Sequence, residues 1–147
     1  MRIRTILLLT VALSGCATTR QKGDVSDLKP TVESFHRHLR WKDFRGATDF
    51  MVQERRATFI KARLDRNDDR DLTVSDYQLE DCTVSGDQLT AACVSRINWI
   101  RLPSVSESSE VVTCTFHWDG HNWRLVSMEN GPFQPEMAPA PAPSAPQ

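Results

Sequence analysis

Trp118-Asp119-Gly120-His121-Asn122-Trp123-Arg124-Leu125 is the stretch on which the fold of this chain turns. Asp-Gly between two apolar, alternating runs is a strong signal for a two-residue hairpin turn, because Gly accepts the positive φ such turns need. Upstream, Val112, Cys114, Phe116 and Trp118 fall on one face of a strand over 111–118. Downstream, a strand over 121–128 carries Trp123 and Leu125. A turn centred on Asp119-Gly120 pairs Trp118 with His121, Phe116 with Trp123 and Cys114 with Leu125. Further back, a strand over 90–102 ends at Pro103 and sets Cys93, Ile97 and Trp99 on one face. A strand over 74–84 precedes it, separated by the turn residues Gly86-Asp87. The opposite face holds Val94, Ile100, Val111, Val126 and Met128, too apolar for a simple solvated surface. It implies a local bulge or a partner surface.

The residues before this meander have helical spacing. Leu28, Val32, Phe35 and Leu39 form one apolar stripe, with Asp27 as cap and Pro30 in the first turn. Asp43 can cap a short helix carrying Phe44, Ala47, Phe50 and Met51. A third helix over 53–66 points Phe59, Ile60 and Leu64 inward, and the polar run 67–71 ends it. Helices followed by an antiparallel meander define an α+β fold, with N-terminal helices packed on a curved four-stranded antiparallel sheet.

A chain of 147 residues with 39% hydrophobic and 25% charged residues suits one globular domain. The net charge is −1. Without Arg2 and Arg4 the balance is 16 basic to 19 acidic residues, which argues against a nucleic-acid partner. Residues 29–70 hold 11 basic and 7 acidic residues, and 71–133 hold 3 and 9. Two solvated faces of one domain account for this asymmetry more simply than a basic layer against an anionic surface.

The first sixteen residues have a basic start at Arg2 and Arg4, a short apolar run from Ile6 to Leu13, and Leu13-Ser14-Gly15-Cys16. The run is too short to span a bilayer, which takes about 20 residues, and reads as a removable leader. Leu13-Ser14-Gly15-Cys16 resembles the bacterial lipobox. That resemblance implies cleavage before Cys16 and lipidation of its thiol, so membrane lipid is an expected partner. Two or more acyl chains anchor stably where one does not. Ala17 follows, rather than the Asp that favours inner-membrane retention, which points to the outer membrane, facing the periplasm. The expected organisation is a signal peptide at 1–15, a lipidated cysteine and flexible tether at 16–27, a domain at 28–133, and a disordered Pro/Ala-rich tail at 134–147.

Trp118-Asp119-Gly120 followed by Trp123-Arg124-Leu125 resembles the closing hairpin of NTF2-like domains of the cystatin-like superfamily. The segment with Phe35, Trp41, Asp43, Phe44 and Ala47 resembles the start of such domains. The chain is similar over 28–128 to uncharacterised NTF2-like lipoproteins, in which Trp99-Ile100-Arg101-Leu102-Pro103 would end a long strand. The resemblance implies a conical pocket between helices and sheet. Some relatives are isomerases or dehydratases and many only bind, so the fold alone does not assign a function.

Relatives that are enzymes use Asp or His inside the cone. Candidates here are His36, Asp43, Asp49, Tyr77, His117 and His121. His117 alternates outward, His121 sits at a hairpin tip, His38 lies opposite the apolar stripe, and Asp43 and Asp49 have cap or surface explanations. His36 alone flanks the stripe, without an evident acid–base partner. His36, Trp99, Phe116, Trp118 and Trp123 are the candidate pocket lining, although ordinary core packing is by a wide margin the stronger reading of the aromatics. No spacing indicates a metal or cofactor, and the Arg55-Arg56 pair reads as a solvated helix face. The three cysteines downstream allow a disulfide between Cys93 and Cys114, or between Cys82 and Cys93 if the hairpin loop spans 86–89, with one thiol left free, or all three stay buried and reduced. The functional expectation is a non-catalytic binding or accessory module of the envelope. Its partner would be an envelope protein, or a second copy joined through the sheet. The alternative is a small-molecule-binding protein or an isomerase- or dehydratase-like enzyme using the cone.

Overall fold

The computed structural model describes residues 22–141. The leader, Cys16 and the tether up to residue 21 lie outside the described residues, as does 142–147. N-terminal helices pack on a four-stranded antiparallel sheet, an α+β arrangement.

Helix α1 (Val25–Arg40) starts at Asp24, whose carboxylate accepts from the Ser26 N–H at 3.2 Å. Asp24 is therefore the cap rather than Asp27, and the structured domain begins before residue 28. Pro30 falls one turn inside the helix, on its exposed side. The stripe Leu28, Val32, Phe35 and Leu39 is buried. Helix α2 (Phe44–Thr48) is capped by Asp43, which accepts from Gly46 N–H at 2.9 Å. Helix α3 (Gln53–Asp65) buries Phe59, while Ile60 is half-buried. Leu64 does not point inward: it is 69% exposed, and Arg63 takes the inner position. A short helix α4 (Asp68–Asp71) forms within the polar run expected to end α3.

Strands β1 (Leu72–Val84), β2 (Thr90–Arg101), β3 (Ser108–Trp118) and β4 (Trp123–Glu129) lie in the order β1-β2-β3-β4. Bulges at Ser75 and Glu80 lengthen the side-chain period locally. They keep Val74, Tyr77, Leu79, Cys82 and Val84 on the helix side despite spacings of two and three.

The closing hairpin departs from the expected register. Trp118 pairs with Trp123 and Phe116 with Leu125, so the connection is the four residues 119–122. Asp119 makes the longer loop favourable: its carboxylate accepts from the backbone N–H groups of His121 and Asn122, both at 2.8 Å. The two-residue shift preserves the faces but changes every cross-strand partner. A bulge at Val126 then brings Met128 opposite Cys114 and into the core, fully buried. Met128 therefore leaves the outer apolar set, and the bulge accounts for part of that set.

The β4 edge is covered. Leu125 N–H donates to the Phe50 carbonyl (2.7 Å), Val52 N–H to the Leu125 carbonyl (3.0 Å), and Met128 N–H to the Met137 carbonyl (2.7 Å). The last contact also corrects the expected start of the disordered tail at 134. Phe133 and Met137 are fully buried, and Arg55 donates to the carbonyls of Glu136 (3.1 Å) and Ala138 (3.0 Å). Arg55 is thus a clamp on the C-terminal segment rather than part of a solvated face, and Arg56 likewise donates to the Met51 carbonyl at 3.2 Å.

Candidate functional site

The candidate pocket residues all lie in the core. Phe116 is fully buried, Trp123 and Trp118 are 1% and 3% exposed, Trp99 is 8% exposed, and His36 is 1% exposed. They do not line one open cone. Trp118 and Trp123 meet edge to face at 5.5 Å. The Trp123 indole N–H donates to the Asp24 carbonyl at 3.0 Å, and Gly23 N–H donates to the Gln88 carbonyl at 3.1 Å. The chain just before α1 is therefore laid across the hairpin end of the sheet. Only glycine fits at 23, since a Cβ there would overlap the Trp123 ring.

His36 stacks on Tyr77, ring centroids 4.8 Å apart, and Tyr77 donates its hydroxyl to the Glu33 carbonyl at 3.3 Å. Neither ring nitrogen of His36 has a hydrogen-bond partner among the described residues. Burial pushes its pKa down to about 4, so the imidazole is neutral at neutral pH.

The other expected positions are scattered. His121 and Asp49 are exposed, and His117 sits half-buried on the outer face. Asp43 does have an imidazole partner, which residue-by-residue reasoning missed: His38 Nδ1 stands 2.7 Å from Asp43 Oδ2. Hydrogen bonding from Gly46 N–H, then from His38, holds the Asp43 carboxyl below its ordinary range. A Cβ at Gly46 would overlap both partners, so the pair is built into the α1–α2 junction. It borders a cleft of about 250 Å³ lined by Lys42, Phe44, Ile60, Arg63 and Asp69 among others. Lys42 donates across one side of that cleft to the Asp69 carbonyl at 2.9 Å.

Sequence reasoning also missed a buried ionic network. Arg63 Nε lies 3.1 Å from Asp68 Oδ2, and its guanidinium also pairs with Glu136. Arg101 pairs with Asp68, and Arg66 reaches Glu136 at 3.1 Å. The Arg63 guanidinium carbon is 4.8 Å from the Phe59 ring centre and 4.7 Å from that of Phe133. Desolvation lowers the Arg63 pKa to about 10, so it remains charged at neutral pH. The network joins α3, α4, β2 and the C-terminal segment. Its only sequence signal was an arginine at an inward helical position, beside the more obvious Leu64.

The structure decides between the two disulfides left open above. Cys82 and Cys93 are bridged, while Cys114 is a buried free thiol. The Cys93–Cys114 pairing is therefore not formed. Cys82 and Cys93 are direct cross-strand partners with Cα atoms 4.1 Å apart, the close spacing of a non-hydrogen-bonded antiparallel pair. Cys93 then turns its backbone polar groups toward β3, so Cys114 opposite it belongs to the wider, hydrogen-bonded kind of pair. The loop spans 85–89, between the end of β1 at Val84 and the start of β2 at Thr90.

Among the described residues no group of three or more His, Cys, Asp or Glu is placed to hold a metal, and no helix is long and apolar enough to cross a membrane.

The chain is similar in fold to solved proteins of distant sequence. A SEC-C motif containing protein from Rhodopseudomonas palustris matches with TM-score 0.55 and 16% identity over 69% of this chain and 77% of that one. The beta subunit of benzoate 1,2-dioxygenase from Burkholderia mallei matches with TM-score 0.51 and 14% identity over 74% and 89%. A Nostoc punctiforme protein of unknown function with a cystatin-like fold gives TM-score 0.48 and 13% identity over 74% and 92%. At these identities the likeness is one of fold. No family model matches the sequence, and no curated protein matches it.

Proposed function

We propose that the chain is a lipid-anchored module of the bacterial cell envelope, held through Cys16 in the outer membrane and facing the periplasm, where it binds a partner rather than turning over a substrate. The observation that carries the non-catalytic reading is the packing of the interior. Where a ligand would sit, Phe35, Phe116, Trp118 and Trp123 are each 0–3% exposed, and the Trp123 indole is held by the Asp24 carbonyl. Binding then falls to the surface. The outer face of the sheet, with Val111 40% exposed and Val94, Ile100 and Val126 half-buried, is the place for an envelope protein or a second copy.

A second reading, a small-molecule site or an isomerase-like centre in the cone, draws on His36, an interior imidazole with unpartnered nitrogens. One experiment separates the two. The protein is titrated with an apolar fluorescent dye, and Phe116→Ala is used to open the interior. The accessory reading expects no saturable site in the native chain and a new one in the variant. Saturable binding to the native chain, reported by Trp123 fluorescence and lost on filling the site in a His36→Trp variant, would favour the cone.

A further inference from the structure

Cys82, Cys93 and Cys114 form one row across three strands. Cys93 is the direct partner of Cys82 on one side and of Cys114 on the other. All three side chains lie toward the helices, and two are fully buried, whereas Cys82 is half-buried on the edge strand. The single bridge between Cys82 and Cys93 thus has a free thiol directly on its far side.

We propose that the row is a disulfide relay in which the bridge moves from Cys82–Cys93 to Cys93–Cys114, making Cys82 a site of mixed-disulfide modification by a small-molecule disulfide. The Cys114 thiolate attacks Cys93 Sγ, the Sγ–Sγ bond to Cys82 breaks, and the proton that Cys114 gives up is balanced by one that the leaving Cys82 thiolate takes up. One S–S bond forms and one breaks, so no oxidant is consumed. The row sets attacking, central and leaving sulfurs in sequence across neighbouring strands, the order such a displacement needs. A hydrogen-bonded antiparallel pair has Cα atoms about 5.5 Å apart, within the Cα range of disulfides but with Cβ atoms set wider than a bridge prefers, so the shifted bridge draws β2 and β3 together locally and is the less stable isomer. The exchanged thiol is the one with solvent access. It can then attack an external disulfide, joining one half and releasing the other as a thiolate. Burial pushes the Cys114 thiol up to about 12, which keeps its thiolate scarce and the Cys82–Cys93 isomer at rest.

Trypsin makes the isomers distinguishable. Cleavage after Arg70, Arg96, Arg101 and Arg124 leaves Cys82 and Cys93 together in peptide 71–96 and Cys114 in peptide 102–124. The full chain, exported to an oxidising compartment, is digested without reduction after alkylation with N-ethylmaleimide. The wild type at rest yields 71–96 closed on itself. Cys82→Ser is expected to yield 71–96 linked to 102–124. Wild type incubated with glutathione disulfide is expected to carry glutathione on Cys82 in the same molecules that show this linkage, and Cys114→Ser is expected to show neither. The proposal is overturned if folded Cys82→Ser has both Cys93 and Cys114 alkylated. Should that variant not fold, the wild-type incubation decides: absence of the linked peptide, with maleimide only on Cys114, overturns it.

Discussion

His36 offers the sharpest test of the packed interior. Its imidazole is 1% exposed, has no hydrogen-bond partner among the described residues, and has a pKa near 4. In the unfolded chain the same ring titrates near 6.5. Between these two values the unfolded state binds a proton that the folded state refuses, so stability rises with pH across the window. The contribution is intact above about pH 6.5, is reduced by about 2 kcal/mol at pH 5, and is reduced by about 3 kcal/mol at pH 4. His36→Phe keeps a ring against Tyr77 and removes the titrating group. Urea melts of wild type and variant at pH 7.5 and pH 5 measure the effect, because the other acids and bases cancel in the difference. The variant should gain about 2 kcal/mol on the wild type between the two pH values, on the order of 8 °C in thermal midpoint. Parallel profiles would show that His36 is hydrated or paired in the folded protein, and the account of a tightly filled interior would fail at that point.

Other outcomes follow from the same packing. Trp123→Ala removes a buried ring and its hydrogen bond to Asp24, and should cost about 3–5 kcal/mol in a urea melt; an unchanged midpoint would place the indole outside the core. Arg63→Leu leaves Asp68 and Glu136 with less compensation in a buried setting and should cost about 3–5 kcal/mol, with early proteolysis of the segment around Met137 as its local signature. Gly23→Ala forces the chain off the Trp123 ring and should cost about 1–3 kcal/mol, with a change in tryptophan fluorescence that a merely flexible tether would not produce. Burial alone would raise the Asp119 carboxyl, but hydrogen bonds from Arg124, Asn122 and His121 bring it down to about 2. Its stabilising effect is therefore present above about pH 4 and lost as pH falls toward 2, and after solvent screening Asp119→Ala should cost no more than about 1 kcal/mol at pH 7.

The architecture was legible because it is written in periodicities. The stripe at Leu28, Val32, Phe35 and Leu39 and the alternation at Val112, Cys114, Phe116 and Trp118 each name one face, and those faces are buried. Register was less legible, because it depends on single inserted residues. Asp-Gly signals a two-residue turn, yet Asp119 can also hold a four-residue loop by accepting two N–H groups, and this option won. The bulge at Val126 moved Met128 from the outer face to the core, which no alternation count could show. The ionic network was hidden because charged residues read as surface. Arg63 goes inside only because Asp68, on the next short helix, and Glu136, distant along the chain, arrive to neutralise it between two phenyl rings. For the same reason the end of the domain was set too early: a Pro/Ala composition concealed the anchors Glu136 and Met137. The disulfide needed the distinction between close and wide cross-strand pairs, which exists only once the sheet is built.

The envelope tether is tested most directly on Cys16. Cells producing the full wild-type chain or Cys16→Ser are labelled with radioactive palmitate, lysed without detergent, and separated into membrane and soluble fractions. The account predicts a labelled wild-type protein confined to the membrane fraction. It predicts an unlabelled Cys16→Ser protein that appears in the soluble fraction. An unlabelled wild-type chain, or a Cys16→Ser chain still labelled and membrane-bound, would contradict it.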